Sequence, residues 1–128
     1  MNYTISKKTN KTFNDAINAV TSQLKKEGFG IISEIDLKEK FKEKLGIEFR
    51  NYKILGACNP AMAHKAILVE DKIGVMLPCN VLVQEKENGE VEVAAVNPLS
   101  SIGVVENEAL KSIAAQISEK LQKAVDNI

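Results

Sequence analysis

The residues of this chain best able to do chemistry fall within one stretch, "GACNPAMAHKAILVEDKIGVMLPCN", from Gly56 to Asn80. It holds both cysteines, Cys58 and Cys79, and the single histidine, His64. Each cysteine is followed by an asparagine, Asn59 or Asn80. Two thiols, an imidazole and two amides allow three chemistries. Cys58 can be a thiolate nucleophile assisted by His64, with Cys79 resolving a sulfenic acid or mixed disulfide. Cys58, His64 and Cys79 can supply three metal ligands, one short of the four that structural zinc takes, so a metal here needs an open or shared site. All five residues can instead line a cleft for a small ligand. The competing reading is structural, since cysteine is among the most often buried residue types and packs as a small hydrophobe. His64 then becomes a partly exposed helix residue.

The elements around these residues decide whether they can meet. Asn59-Pro60 reads as a helix start, because the Asn side chain accepts from an orphan amide and Pro suits the first helical position. That helix is expected to run to about Glu70. "KIGVMLPCNVLVQEK" reads as one long apolar strand, bent at Pro78. A helix from Asn59 to Glu70 advances roughly 18 Å and a strand from Ile73 to Cys79 roughly 20 Å. If that strand returns along the helix, Cys79 comes back near Cys58, itself just outside a helix N-terminus that favours a thiolate or an anion. His64 lies four residues beyond Pro60, within about 6 Å of axial rise.

Further out, "YTISKKT" alternates weakly as a first strand. Thr12 with Asp15 opens a helix carrying Phe13, Ala16, Ile17, Val20 and Leu24 on one face and ending at Gly28. "FGIISEID" is the next strand. Asp36 with Glu39 caps a short helix through Phe41 and Leu45, closed by Gly46. "NYKILGAC" is a strand, and Asn88-Gly89 between two β-rich runs is a strong hairpin signal. From Asn107 onward Leu110, Ile113, Ala114, Ile117, Leu121 and Val125 form one stripe of a long amphipathic helix. The order β-α-β-α-β-α-β-β-α predicts a single α+β domain with helices covering one face of a mainly antiparallel sheet.

Composition narrows the function classes. The 128 residues, 45% hydrophobic and 27% charged, are those of one globular domain. With 17 basic and 17 acidic side chains there is no net field to attract nucleic acid or an anionic membrane. No apolar run approaches the roughly 20 residues of a membrane span, and "MNYTISKKTNKTF" lacks the apolar core of a secretion signal. A cytoplasmic protein with reduced thiols is expected. No phosphate loop, dinucleotide fingerprint or nucleophile elbow names a cofactor or reaction, and neither cysteine belongs to a C-x-x-C pair. The acidic residues of "LKEKFKEKLG" alternate with lysines as on a solvated helix face.

"YKILGACNPAMAHKAI" followed by "IGVMLPCNVLV" resembles the paired signature stretches of the family catalogued as domain of unknown function 302. Its G-A-C-N-P-x-x-A pattern is matched by Gly56, Ala57, Cys58, Asn59, Pro60 and Ala63, and its L-P-C-N-V pattern by Leu77 to Val81. The likeness extends through "EIDLKEKFKEKLGIEFRNYKILG" to about Asn97-Pro98. It weakens where this chain reads Leu99, Ser100, Ser101, Ile102 and Gly103 in place of a methionine-containing stretch. The resemblance implies a curved sheet with helices, similar to the TATA-binding-protein-like arrangement, and a homodimer; it implies no reaction. Three functions follow as expectations. The first is a small cytosolic ligand-, metal- or cofactor-binding domain using Cys58, Asn59, His64, Cys79 and Asn80. The others are a thiol-based redox protein using Cys58 with Cys79, and a structural homodimer for a protein partner.

Overall fold

The structure is a computed structural model that describes residues 2–128. Five strands form one antiparallel sheet: β1 (Thr4–Thr9), β2 (Gly30–Asp36), β3 (Tyr52–Cys58), β4 (Cys79–Glu85) and β5 (Val91–Val96), in the order β1-β5-β4-β3-β2. The helices are α1 (Phe13–Lys26), α2 (Leu37–Leu45), α3 (Pro60–Val69), a single turn α4 (Pro98–Ser101) and α5 (Glu108–Asp126). The expected α+β order is present, with α4 and two 3-10 segments added.

The helix boundaries follow from capping chemistry. Thr12 accepts from the Asp15 amide and Asp36 from the Glu39 amide, as the spacing predicts. Three asparagines do more. Asn59, Asn97 and Asn107 each accept from a first-turn amide with Oδ1, and each donates Nδ2 to a carbonyl elsewhere: Glu27, Asn2 and Val69 respectively. An aspartate has no donor for the second bond. These caps therefore start a helix and tie it to another segment at the same atom group.

One face of the sheet is covered. α1 and α5 pack against each other and onto the strands, burying the predicted stripes, Ala16, Val20 and Leu24 from α1 and all six predicted positions from α5. They meet Ile5, Leu55, Ala57, Cys79, Val81, Val83, Val93 and Ala95 in one continuous core. α2 buries no residue and packs instead beside β3.

The long strand expected from Lys72 to Lys86 does not form. Asp71–Met76 is a 3-10 helix, with amide bonds from Ile73 to Glu70 and from Leu77 to Gly74. Leu77 and Pro78, joined by a cis peptide bond, lead into β4, which begins at Cys79. Only Ile73 of the first half is buried, whereas Val75 is 88% exposed. An apolar run this short fits either period, and here it forms a 3-10 segment with the single anchoring side chain Ile73.

Candidate functional site

Cys79 reaches Cys58 by a different route from the expected return along the helix. β3 and β4 pair directly, with Ala57 across from Cys79 and Gly56 across from Asn80. Cys58 is the last residue of β3, and Asn59 caps α3 immediately after it. Cys58, Asn59 and Cys79 consequently line one small cavity with Phe29, Met62, Leu77, Pro78 and Ile117. Both thiols are free.

That cavity is tight and almost entirely apolar. Its volume is about 20 Å³, room for about one water molecule. Asn59, its one amide, is already engaged, accepting from Met62 N at 3.3 Å and donating to Glu27 O at 3.2 Å. Cys79 is buried, and its thiol is pushed up to about 11, first by loss of solvent and then by the neighbouring Cys58. At neutral pH Cys79 is a protonated thiol.

The packing of the motif explains two glycines. A Cβ on Gly56 would run into Ser33 Oγ and come within 2.9 Å of Pro78 Cγ, so β3 is bare where β2 and the Leu77-Pro78 connection close on it. Gly28, at φ +88°, ends α1, and a Cβ there would sit 3.0 Å from Asn59 Nδ2. Gly28 thus combines the left-handed turn with room for the asparagine that bonds the end of α1.

The other two expected site residues lie elsewhere. His64 is exposed on α3 and is absent from the cysteine cavity. Asn80 points to the opposite face of the sheet, because successive strand residues alternate and Cys79 faces the core. The five residues do not converge on a single cleft. Among the described residues no group of three His, Cys, Asp or Glu side chains is placed to hold a metal ion, so Cys58, His64 and Cys79 do not form such a set.

Asn80 instead borders a hollow on the uncovered face of the sheet. Its walls are Ile54, Leu82, Ala94 and Val96, with Tyr3 and Thr4 at one end, and its volume is about 250 Å³. Register explains this grouping: Ile54 pairs with Leu82, Leu82 with Ala94, and Thr4 with Val96. Further along the same face the surface turns polar. Arg50 donates to Gln84 while its guanidinium lies over the rings of Phe49 and Tyr52, and Gln84 donates to Glu92. Phe49 also packs edge-on against Phe41 of α2.

The sequence reading missed this hollow. Its signal was the run Val81-Leu82-Val83 and the run Val93-Ala94-Ala95-Val96, apolar at both strand parities, which is how a strand with two apolar faces reads.

Comparison with known proteins identifies the family and the fold. The family model described as "Domain of unknown function DUF302" matches residues 5–128. The chain belongs to the DUF302 family. The match runs through α5, so the weakened likeness expected after Pro98 does not mark an end of the family region. The fold is similar to that in the "Crystal structure of uncharacterized conserved protein DUF302 from Bacillus stearothermophilus", with a TM-score of 0.92 and 30% sequence identity. That likeness covers 99% of this chain and 98% of the other. No curated protein matches. DUF302 is by description a family of unknown function, so membership fixes the fold and names no activity. Among the described residues, no helix of this member is long and apolar enough to cross a membrane.

Proposed function

We propose that this DUF302 protein is a binding domain whose working surface is the uncovered face of the sheet, taking a small, largely apolar ligand that carries one polar group. The observation behind this reading is the hollow of about 250 Å³ walled by Ile54, Leu82, Ala94 and Val96 with Asn80 at its border. Small-molecule sites are concave, mostly apolar, and oriented by a few polar groups, with typical volumes of roughly 300–1,000 Å³. The cysteine cavity, at about 20 Å³, has room for nothing of that kind. In the hollow Asn80 offers both a donor and an acceptor beside the apolar walls.

The reading is tested by titrating uniformly ¹⁵N-labelled protein with 1-hexanol, an alkyl chain with one hydroxyl. Saturable shifts at the amides of Ile54, Asn80, Leu82 and Ala94 support it. Shifts confined to the Cys58–Cys79 region, or none up to the solubility of the probe, contradict it.

A second reading is a homodimer formed through the same face. Ile35, paired across from Ile54, is 43% exposed, and Tyr3 is 74% exposed, so apolar surface continues past the edge of the hollow. Apolar patches of this kind are often protein interfaces. Native mass spectrometry at micromolar concentration separates the readings: a dimer that Leu82→Asp splits favours the interface, and a monomer that binds the alcohol favours the ligand.

A further inference from the structure

We propose that Cys58 and Cys79 form a redox-modification site that closes to an intramolecular disulfide when the protein meets a small hydroperoxide. Strand register supplies the reach. Ala57 stands across from Cys79, which puts Cys58 one residue beyond the direct partner. A cross-strand spacing of about 5 Å and a rise of about 3.4 Å give a diagonal Cα separation of about 6 Å. Disulfides span Cα separations of about 4.4–6.8 Å.

Orientation is the second requirement. Neighbouring strand positions ordinarily face opposite sides, yet both residues line the same cavity, and Cys58 is the last residue of β3, where regular alternation ends and the chain turns into α3. The influence of Cys58 on the Cys79 thiol reflects the same proximity.

The two thiols are unequal in access. Cys58 is half-buried at the head of α3, whereas Cys79 is 5% exposed. An oxidant therefore meets Cys58 first, from its solvent-accessible side, and the tight cavity that the two cysteines line, with room for about one water, leaves no space for a bulky disulfide.

The Cys58 sulfur, as thiolate, attacks one peroxide oxygen and the O–O bond breaks. The departing hydroxide takes up a proton to leave as water, and Cys58 becomes a sulfenic acid. The Cys79 sulfur then attacks the Cys58 sulfur, the S–O bond breaks, and the hydroxyl leaves as water with the Cys79 proton. Two thiols lose two electrons, the peroxide gains two, and two waters form. Because Cys79 is held protonated, the second step is slow at neutral pH and accelerates as pH rises toward about 11.

The test treats the full chain with equimolar hydrogen peroxide, blocks remaining thiols with N-ethylmaleimide and maps tryptic peptides without reduction. The expected result is joint loss of both thiols in a monomer, with peptide 54–65 joined to peptide 73–86 and both released by dithiothreitol. In Cys79→Ser, dimedone labelling of Cys58 rises by about tenfold or more, because the sulfenic acid is not resolved. The wild-type map requires no variant to fold. Stable sulfenic or sulfinic acid on Cys58 beside an intact Cys79 thiol would overturn the proposal, as would a cross-link only between copies or two thiols inert to excess peroxide.

Discussion

Asn59 reads from the sequence as a helix cap that also sits beside a reactive cysteine, and its bonds bear out the cap and add a second task. Its oxygen caps α3 and its nitrogen holds the last turn of α1 at Glu27. Asn59→Ala removes both, with an expected loss of about 1–3 kcal/mol in urea unfolding. Asn59→Asp keeps the cap and loses the donor, so its cost of about 1 kcal/mol measures the tie, and the further loss in Asn59→Ala measures the cap. Cys79 makes a second residue-scale prediction. Its folded pKa of about 11 lies above the ordinary 9.0, so the folded state keeps a proton that the unfolded chain gives up. The resulting stability, of order 2 kcal/mol, is fully present below pH 9 and is lost as pH rises toward about 11. Equilibrium unfolding of wild type and Cys79→Ala between pH 8 and 11 checks this: the wild-type curve should fall more steeply.

At the scale of elements, Gly56 is the position where β3 cannot carry a side chain. Gly56→Ala forces Ser33 and Pro78 apart and should cost about 1–3 kcal/mol, whereas Gly89→Ala, with open space around its Cβ but a φ of +87°, should cost about 1 kcal/mol through backbone strain alone. Thermal denaturation of the pair separates packing from turn conformation. In α5, Leu121→Ala removes a fully buried side chain and should cost about 2–5 kcal/mol. The helices were the most legible elements, because Thr12, Asp36, Asn59 and Asn107 announce their starts by local chemistry that tertiary contacts do not change. The segment Asp71–Met76 was misread because apolar character alone carries no period over six residues. The meeting of Cys58 with Cys79 was anticipated, but by strand return along a helix. Direct pairing of β3 with β4 is a long-range fact that local pattern does not encode.

For the whole molecule, the sheet divides labour between its faces. The covered face buries Cys79 with the core, and the uncovered face carries Asn80, the apolar hollow and, beyond it, the Arg50–Gln84–Glu92 row. The motif L-P-C-N-V crosses from one side to the other at adjacent residues, which is why reading its cysteine and asparagine as one cleft failed. Placing the working surface on the uncovered face makes the two sides separable by mutation. The most direct measurement is the 1-hexanol affinity of Leu82→Asp and of Cys58→Ser beside wild type, read from amide shifts in folded protein. A loss of about tenfold or more for Leu82→Asp, which puts a charge on the apolar wall, with Cys58→Ser unchanged, is the expected result. Unchanged affinity in Leu82→Asp together with loss in Cys58→Ser would contradict the account and return the site to the cysteine cavity.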